Sequence, residues 1–145
     1  MFDNKMELSF TAKSENEAFA RVAVAAFVSR LNPTLAEVME IKTAVSEAVT
    51  NAIIHGYEHG EDDGCEEQMV SLSCCIAGKE VFIEIADLGR GIDDIEQARE
   101  PLYTSKPEME RSGMGFTVME EFMDGLEVVS KVGEGTTVKL KKLVN

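Results

Sequence analysis

The stretch that decides the interpretation of this chain is Ser46-Glu47-Ala48-Val49-Thr50-Asn51, with His55-Gly56 directly after it. Two glycine-containing stretches follow, Asp87-Leu88-Gly89-Arg90-Gly91 and Arg111-Ser112-Gly113-Met114-Gly115-Phe116. Each alone is weak evidence, because glycine is common in turns and Glu or Asn is common on exposed helices. Together, and in this order, the three stretches predict an ATP site.

The first stretch falls on a long predicted helix. Thr34-Leu35-Ala36-Glu37 after Pro33 matches a capping box, and the helix should end near Gly56. One side carries the predicted core face of Leu35, Val38, Ile41, Val45, Val49, Ala52 and Ile53. Glu47 and Asn51 lie on the other side, four residues apart, so they stack on one face and can act on one ligand.

Other periodicities predict the rest of the fold. Residues 5–12 alternate as a first strand, and a capping box at Ser14-Glu15-Asn16-Glu17 should begin a helix over 15–30. The predicted core face of that helix is Phe19, Val22, Ala23, Ala26 and Phe27, opposite Glu17, Arg21, Val24 and Val28. Residues 69–76 and 80–86 predict one hairpin, and 126–132 and 136–142 predict another after a short helix over 116–123.

Asp87 is the candidate for adenine recognition. It continues the parity of Val81, Ile83 and Ile85, so its carboxylate should point toward the core, where it could accept from the exocyclic amine of adenine. Gly89 and Gly91 would let the backbone approach the ring. The alternative is a glycine-rich turn in which the Asp makes only local hydrogen bonds.

The other two stretches suit a triphosphate. Gly113 and Gly115 immediately precede a helix, where backbone N–H groups and the helix dipole attract phosphate, although an ordinary helix start remains open. Asn51 could give Mg²⁺ one oxygen ligand, with phosphates and waters completing the shell. Glu47 could then take a proton from an attacking hydroxyl or water, against the alternative of a surface glutamate.

Composition limits the remaining options. The 145 residues predict a single domain over 1–145, with a mobile lid at about 92–115. A net charge of -13 disfavours direct nucleic-acid binding. No long apolar run or basic leader occurs, so neither secretion nor membrane spanning is predicted. Cys65, Cys74 and Cys75 suit neither a disulfide framework nor a zinc site, which indicates reduced thiols in a cytoplasmic protein.

The three stretches together resemble the GHKL or Bergerat-fold superfamily of gyrase, heat-shock chaperones, histidine kinases and the mismatch-repair protein MutL. Residues 47–51 resemble its N box, 87–91 its first glycine box and 113–115 its second. Thr136 resembles the late threonine that supports the adenine-binding aspartate. The resemblance implies an α+β two-layer sandwich, with a mixed, mostly antiparallel sheet and helices on one face. It also implies ATP and Mg²⁺ as cofactors.

Further residues bring the chain closer to one branch, the anti-sigma serine kinases of spore-forming bacteria. Ser14-Glu15-Asn16-Glu17, residues 45–57 and the run from Pro101 to Phe116 carry this resemblance. It implies a homodimer that holds a sporulation sigma factor of the sigma F type inactive and phosphorylates a serine of an anti-anti-sigma factor. By this analogy Glu47 is the general base, Arg111 neutralises γ-phosphate charge, and Glu17 and Arg21 contact a partner. The remaining ATP contacts implied are Lys106, Ser112, Gly113, Gly115 and Phe116.

Rival classes share part of this pattern. A histidine-kinase domain should follow a dimerisation helix with a phosphoacceptor histidine, whereas the only histidines here are His55 and His59. A gyrase-like or MutL-like ATPase should continue into a transducer domain well beyond Lys142. A stress-response anti-sigma kinase is the nearest alternative within the branch. A binding module gated by ATP, without transfer activity, is disfavoured by the presence of Glu47.

Overall fold

A computed structural model describes residues 2–54, 68–88 and 115–145. Five strands form one sheet, and two long helices and one short helix pack against it. The elements are β1 (Asn4–Thr11), α1 (Asn16–Val28), α2 (Leu35–Ile54), β2 (Met69–Ala77), β3 (Glu80–Asp87), α3 (Gly115–Phe122), β4 (Gly125–Lys131) and β5 (Gly135–Leu143). Residues 55–67 and most of the predicted lid at 92–115 lie outside the described residues.

The sheet has the strand order β1-β2-β3-β5-β4, and each pairing in that order is antiparallel. Both predicted hairpins are confirmed, and β3 pairs with β5 to join them. Side chains of one parity enter the core while those of the other parity face outward, as the pleat requires. The α+β class predicted above is therefore confirmed, with α2 packed against β2, β3 and β5.

The start of α2 confirms the predicted capping box. The Thr34 N–H donates to Glu37 Oε1 at 2.8 Å, and the Glu37 N–H donates to Thr34 Oγ1 at 3.1 Å. The other carboxylate oxygen of Glu37 accepts from the Asn145 N–H at 2.9 Å. One buried glutamate thus caps the helix and binds the second residue after β5 to it.

The predicted core face of α1 is wrong. Its buried residues are Ala20, Val24 and Val28, whereas Phe19 and Val22 are 57% and 56% exposed. Apolar residues occupy both sides of this helix, so its periodicity alone does not choose between two orientations. The small Ala20 and the two valines form the side that allows close packing against α2 and β2.

The capping box predicted at Ser14 is also not formed. The N-cap residue is Glu15, without a side-chain cap, and the Asn16 amide donates instead to the Thr11 carbonyl at 2.8 Å. That bond satisfies the end of β1 and turns the chain into α1. The Glu17 N–H, which a capping box would pair with the Ser14 hydroxyl, donates instead to the Ser14 carbonyl at 3.2 Å.

Cys74 and Cys75 are free thiols and are buried. Burial raises the pKa of Cys74 to about 12, with the neighbouring Cys75 adding to the effect. The Cys74 thiol therefore stays protonated at neutral pH and packs as a small apolar group. Within the described ranges, no helix combines the length and apolar character needed to cross a membrane.

We expect Glu37→Gln to lower the free energy of unfolding near neutral pH, with a difference from wild type that shrinks in acid. The backbone N–H groups of Asn145 and then Thr34 hold the pKa of Glu37 below its ordinary value of 4.5. Because the folded pKa is the lower one, the carboxylate contributes its full stabilisation above pH 4.5 and loses it as the pH falls through the folded value. Urea titrations across this range measure the difference.

The matched control is Glu134→Gln, which alters an exposed glutamate in the β4–β5 turn. Its effect should be small at every pH, because exposed ion pairs contribute little. A Glu37→Gln deficit that grew in acid would contradict the assignment.

Candidate functional site

The first residue of α3 lies directly against the middle of α2. A Cβ atom at Gly115 would stand 3.1 Å from Nδ2 of Asn51 and 3.3 Å from Oε1 of Glu47. Gly115 therefore brings the backbone N-terminus of α3 beside both polar side chains of the predicted N box. Gly115 is the last residue of the predicted second glycine box, and it meets the predicted N box although the two are far apart in sequence.

Asp87 lies at the end of β3 and is only 6% exposed, so its predicted inward orientation is confirmed. The sheet register sets Asp87 opposite Thr136 of β5, which is 8% exposed. Oγ1 of Thr136 lies 2.8 Å from Oγ of Ser130 on β4. A buried carboxylate and a buried hydroxyl thus sit side by side, and Ser130 orients the hydroxyl from the neighbouring strand.

Gly135 makes this juxtaposition sterically possible. Its φ is +105°, a backbone conformation that residues with a Cβ rarely adopt. A Cβ there would stand 2.8 Å from Cα of Leu88 and would overlap the Asp87 carbonyl oxygen. Only glycine lets β5 begin this close to the end of β3.

The donor set beside Gly115 suits a magnesium-bound triphosphate. An amide oxygen and a carboxylate are ligand types that Mg²⁺ accepts, while the adjacent helix N-terminus attracts phosphate. A Cβ at position 115 would fill the space between this helix N-terminus and the two side chains, and glycine leaves that space open. The residues present therefore fit the nucleotide and its metal.

Glu17 and Arg21, predicted to contact a partner, form an ion pair at 3.3 Å one turn apart on α1. The side chain of Arg21 is 41% exposed. The same helix also exposes Phe19 and Val22, which point away from Arg21 because residues one and two apart do not share a helix face. α1 therefore exposes a charged group and a separate apolar pair.

The structure does not bring every predicted site residue into this group. The side chain of Phe116 is buried in the hydrophobic core, so only its backbone remains available at the α3 N-terminus. Six predicted residues lie outside the described residues, namely Gly89, Gly91, Lys106, Arg111, Ser112 and Gly113.

Sequence reasoning missed two contributors to the arrangement around Asp87. Ser130 has no motif around it and is identified only by its position across the strand pair from Thr136. Gly135 carried a signal that could have been used, because it precedes Thr136 in a Gly133-Glu134-Gly135 turn. A second glycine in such a turn often marks a close backbone approach.

A family model for the histidine kinase-like ATPase domain matches residues 10–142. The match spans most of the chain and includes both groups of residues described above, the one around Asp87 and the one around Gly115. The molecule is therefore of the ATP-binding class that this domain defines. Among curated proteins, the anti-sigma F factor of Clostridium beijerinckii is 62% identical over 145 residues, covering 100% of this chain and 98% of the relative. The anti-sigma F factor of Clostridium perfringens is 60% identical over 144 residues, covering 99% of each. The chain belongs to the anti-sigma F factor family.

A solved structure supports the fold. The crystal structure of the RsbU and RsbW domains of Rv1364c from Mycobacterium tuberculosis aligns with a TM-score of 0.66 at 16% identity. The alignment covers 97% of this chain and 32% of that longer one. At this identity the likeness concerns the architecture of the domain.

Substitution by alanine should mainly weaken ATP binding at Gly115 and mainly lower stability at Gly135. We expect Gly115→Ala to weaken ATP binding by roughly tenfold while changing stability by less than about 1 kcal/mol, because its neighbours are side chains that can shift. Gly135→Ala should lower the free energy of unfolding by more than about 2 kcal/mol, because its neighbours are backbone atoms and its φ is positive. Calorimetric titration with ATP and urea unfolding measure the two effects. Equal loss of stability in both variants would contradict this division.

Proposed function

We propose that this protein is an ATP-dependent anti-sigma factor that also acts as a protein serine kinase. It sequesters a sporulation sigma factor of the sigma F type and phosphorylates a serine of the cognate anti-anti-sigma factor. Membership of the anti-sigma F factor family supports the first activity. The histidine kinase-like ATPase domain supports the second, since it is an ATP-binding class.

The observation that carries the kinase proposal is the approach of Gly115 to Glu47 and Asn51. A phosphate bound by the N-terminus of α3 would lie beside a carboxylate that can accept a proton and an amide that can bind a metal. Phosphoryl transfer requires mainly positioning and electrostatic stabilisation, and these groups supply both.

In the proposed site, Asp87 accepts a hydrogen bond from the adenine amine, and Thr136 supports it from the facing strand. Asn51 gives Mg²⁺ an oxygen ligand. As the serine oxygen attacks the γ-phosphorus, Glu47 takes the hydroxyl proton, the bond from that phosphorus to the β–γ bridging oxygen breaks, and ADP leaves. Bound Mg²⁺ supplies charge neutralisation of the phosphates, and Arg111 adds a second positive charge.

The partner surface in this proposal is α1. Arg21 offers the charged contact, and the same helix exposes apolar area at Phe19 and Val22. Interfaces commonly combine an arginine with exposed apolar side chains in this way. We also propose a homodimer, for which the exposed Leu35 and Met39 at the start of α2 provide further apolar area.

Glu47→Gln should abolish phosphate transfer while preserving ATP binding. A general base contributes about 10²–10⁴-fold to rate, and glutamine keeps the size of the side chain without its basicity. The measurement follows labelled phosphate from ATP to serine of a candidate anti-anti-sigma protein in the presence of Mg²⁺.

Glu84→Gln is the matched control, because Glu84 is an exposed glutamate on the outer face of β3, paired with Lys139. It should transfer phosphate at the wild-type rate. ATP binding without transfer in the wild-type chain would reject the kinase activity toward that acceptor. Transfer that survived Glu47→Gln would reject Glu47 as the base.

Arg21→Ala should weaken binding of a sigma F-type factor by at least about tenfold, because it removes the charged contact on α1. Binding of ATP should be unchanged. Arg30→Ala provides the control, since Arg30 is an exposed arginine in the short helical turn after α1. Equal weakening by the two substitutions would indicate general electrostatic attraction to the chain instead of a surface on α1.

A further inference from the structure

Lys142 is buried on the inward-facing side of β5 and is 8% exposed. Its strand neighbours Lys139 and Lys141 have the opposite parity and form ion pairs on the outer face of the sheet. Burial of an ammonium group is costly unless it is paired and hydrogen-bonded, so a lysine at this position needs specific partners.

Both partners of Lys142 lie on the helices that build the candidate site. Its Nζ donates to Oε1 of Glu40 on α2 at 2.8 Å and to the carbonyl oxygen of Phe122 at 2.5 Å. Phe122 is the last residue of α3, where a cation is also favoured by the helix dipole. One ammonium group therefore joins α2 to the C-terminal end of α3.

Asp124 strengthens this end of α3. Its N–H donates to the Lys141 carbonyl at 2.8 Å, and its carboxylate accepts from the Leu143 N–H at 2.6 Å. The C-terminal end of α3 is thus fixed to β5 through backbone groups, and Lys142 extends the attachment to α2.

The two ends of α3 face two places on the same helix. Gly115 at its beginning lies beside Glu47 and Asn51, whereas Phe122 at its end is joined through Lys142 to Glu40. Glu40 precedes Glu47 by two helical turns on a similar side of α2. The Lys142 contacts therefore join the far end of α3 to α2, in addition to the packing of Phe116 and Met119 in the core.

We propose that Lys142 and Glu40 are a positioning pair for nucleotide binding, which sets the N-terminus of α3 against Glu47 and Asn51. Neither side chain contacts the nucleotide in this proposal. The proposal rests on the proposed function, because it assigns phosphate binding to the beginning of α3.

The test compares Lys142→Met and Glu40→Gln with Lys139→Met, which removes an exposed lysine of the same strand. Calorimetric titration with Mg·ATP should show a Kd raised roughly ten- to hundredfold in Lys142→Met and less in Glu40→Gln, since a displaced binding group loses most of its contribution. The double variant should be no weaker than Lys142→Met, because the two residues act as one unit. Lys139→Met should bind as wild type does.

A second readout does not depend on nucleotide. The amide resonance of Gly115, recorded by NMR in the nucleotide-free chain, should shift in Lys142→Met and Glu40→Gln and stay in place in Lys139→Met. A residue that contributes only to stability would lower the melting temperature without moving this resonance or the Kd at low temperature. That result in either variant would overturn the proposal.

Two further outcomes separate this proposal from the proposed function. If wild type bound no Mg·ATP, the proposed function would fail; if wild type bound it and both variants bound equally well, only the positioning pair would fail. Should Lys142→Met not fold, Glu40→Gln decides alone, because it keeps the Lys142 bond to the Phe122 carbonyl.

Discussion

The site depends on how closely the backbone at the beginning of α3 approaches the middle of α2. Any side chain at position 115 would occupy the space beside Glu47 and Asn51. Glycine keeps that space open and leaves the helix N-terminus as the nearest backbone group. The sheet supports this approach, because α2 packs on β2, β3 and β5 and α3 packs against α2.

The inward face of β5 carries polar groups at both ends and apolar groups between them. Thr136 lies beside Asp87 at one end, and Lys142 lies beside Glu40 at the other. Val138 and Leu140 fill the core between these points. One strand therefore contributes to the buried pair at Asp87 and to the attachment of the helices without interrupting the apolar interior, because each polar group has a partner at the margin of the core.

Local patterns in the sequence predicted most of this arrangement. Strand parity placed Asp87 inward, and the Thr34 and Glu37 pair marked the start of α2, because both signals are set by nearby residues. The orientation of α1 was not predictable in this way, since Ala20, Val24 and Val28 compete with an equally apolar opposite side. The contacts of Lys142 could not be predicted from local patterns. Its parity with Leu140 predicts burial, but only the fold brings it to Glu40 and to the Phe122 carbonyl.

The strand order also shapes the route by which the chain folds. β2 and β3 are joined by the Gly78-Lys79 turn, and β4 and β5 by residues 132–134, so each hairpin closes over a short loop. β1 reaches β2 only after residues 12–68, which include both long helices, have been brought together. Closing such a separation is entropically expensive and slow. We therefore expect β1 to pair with β2 after the two hairpins have formed, because the turn of each hairpin spans only two or three residues.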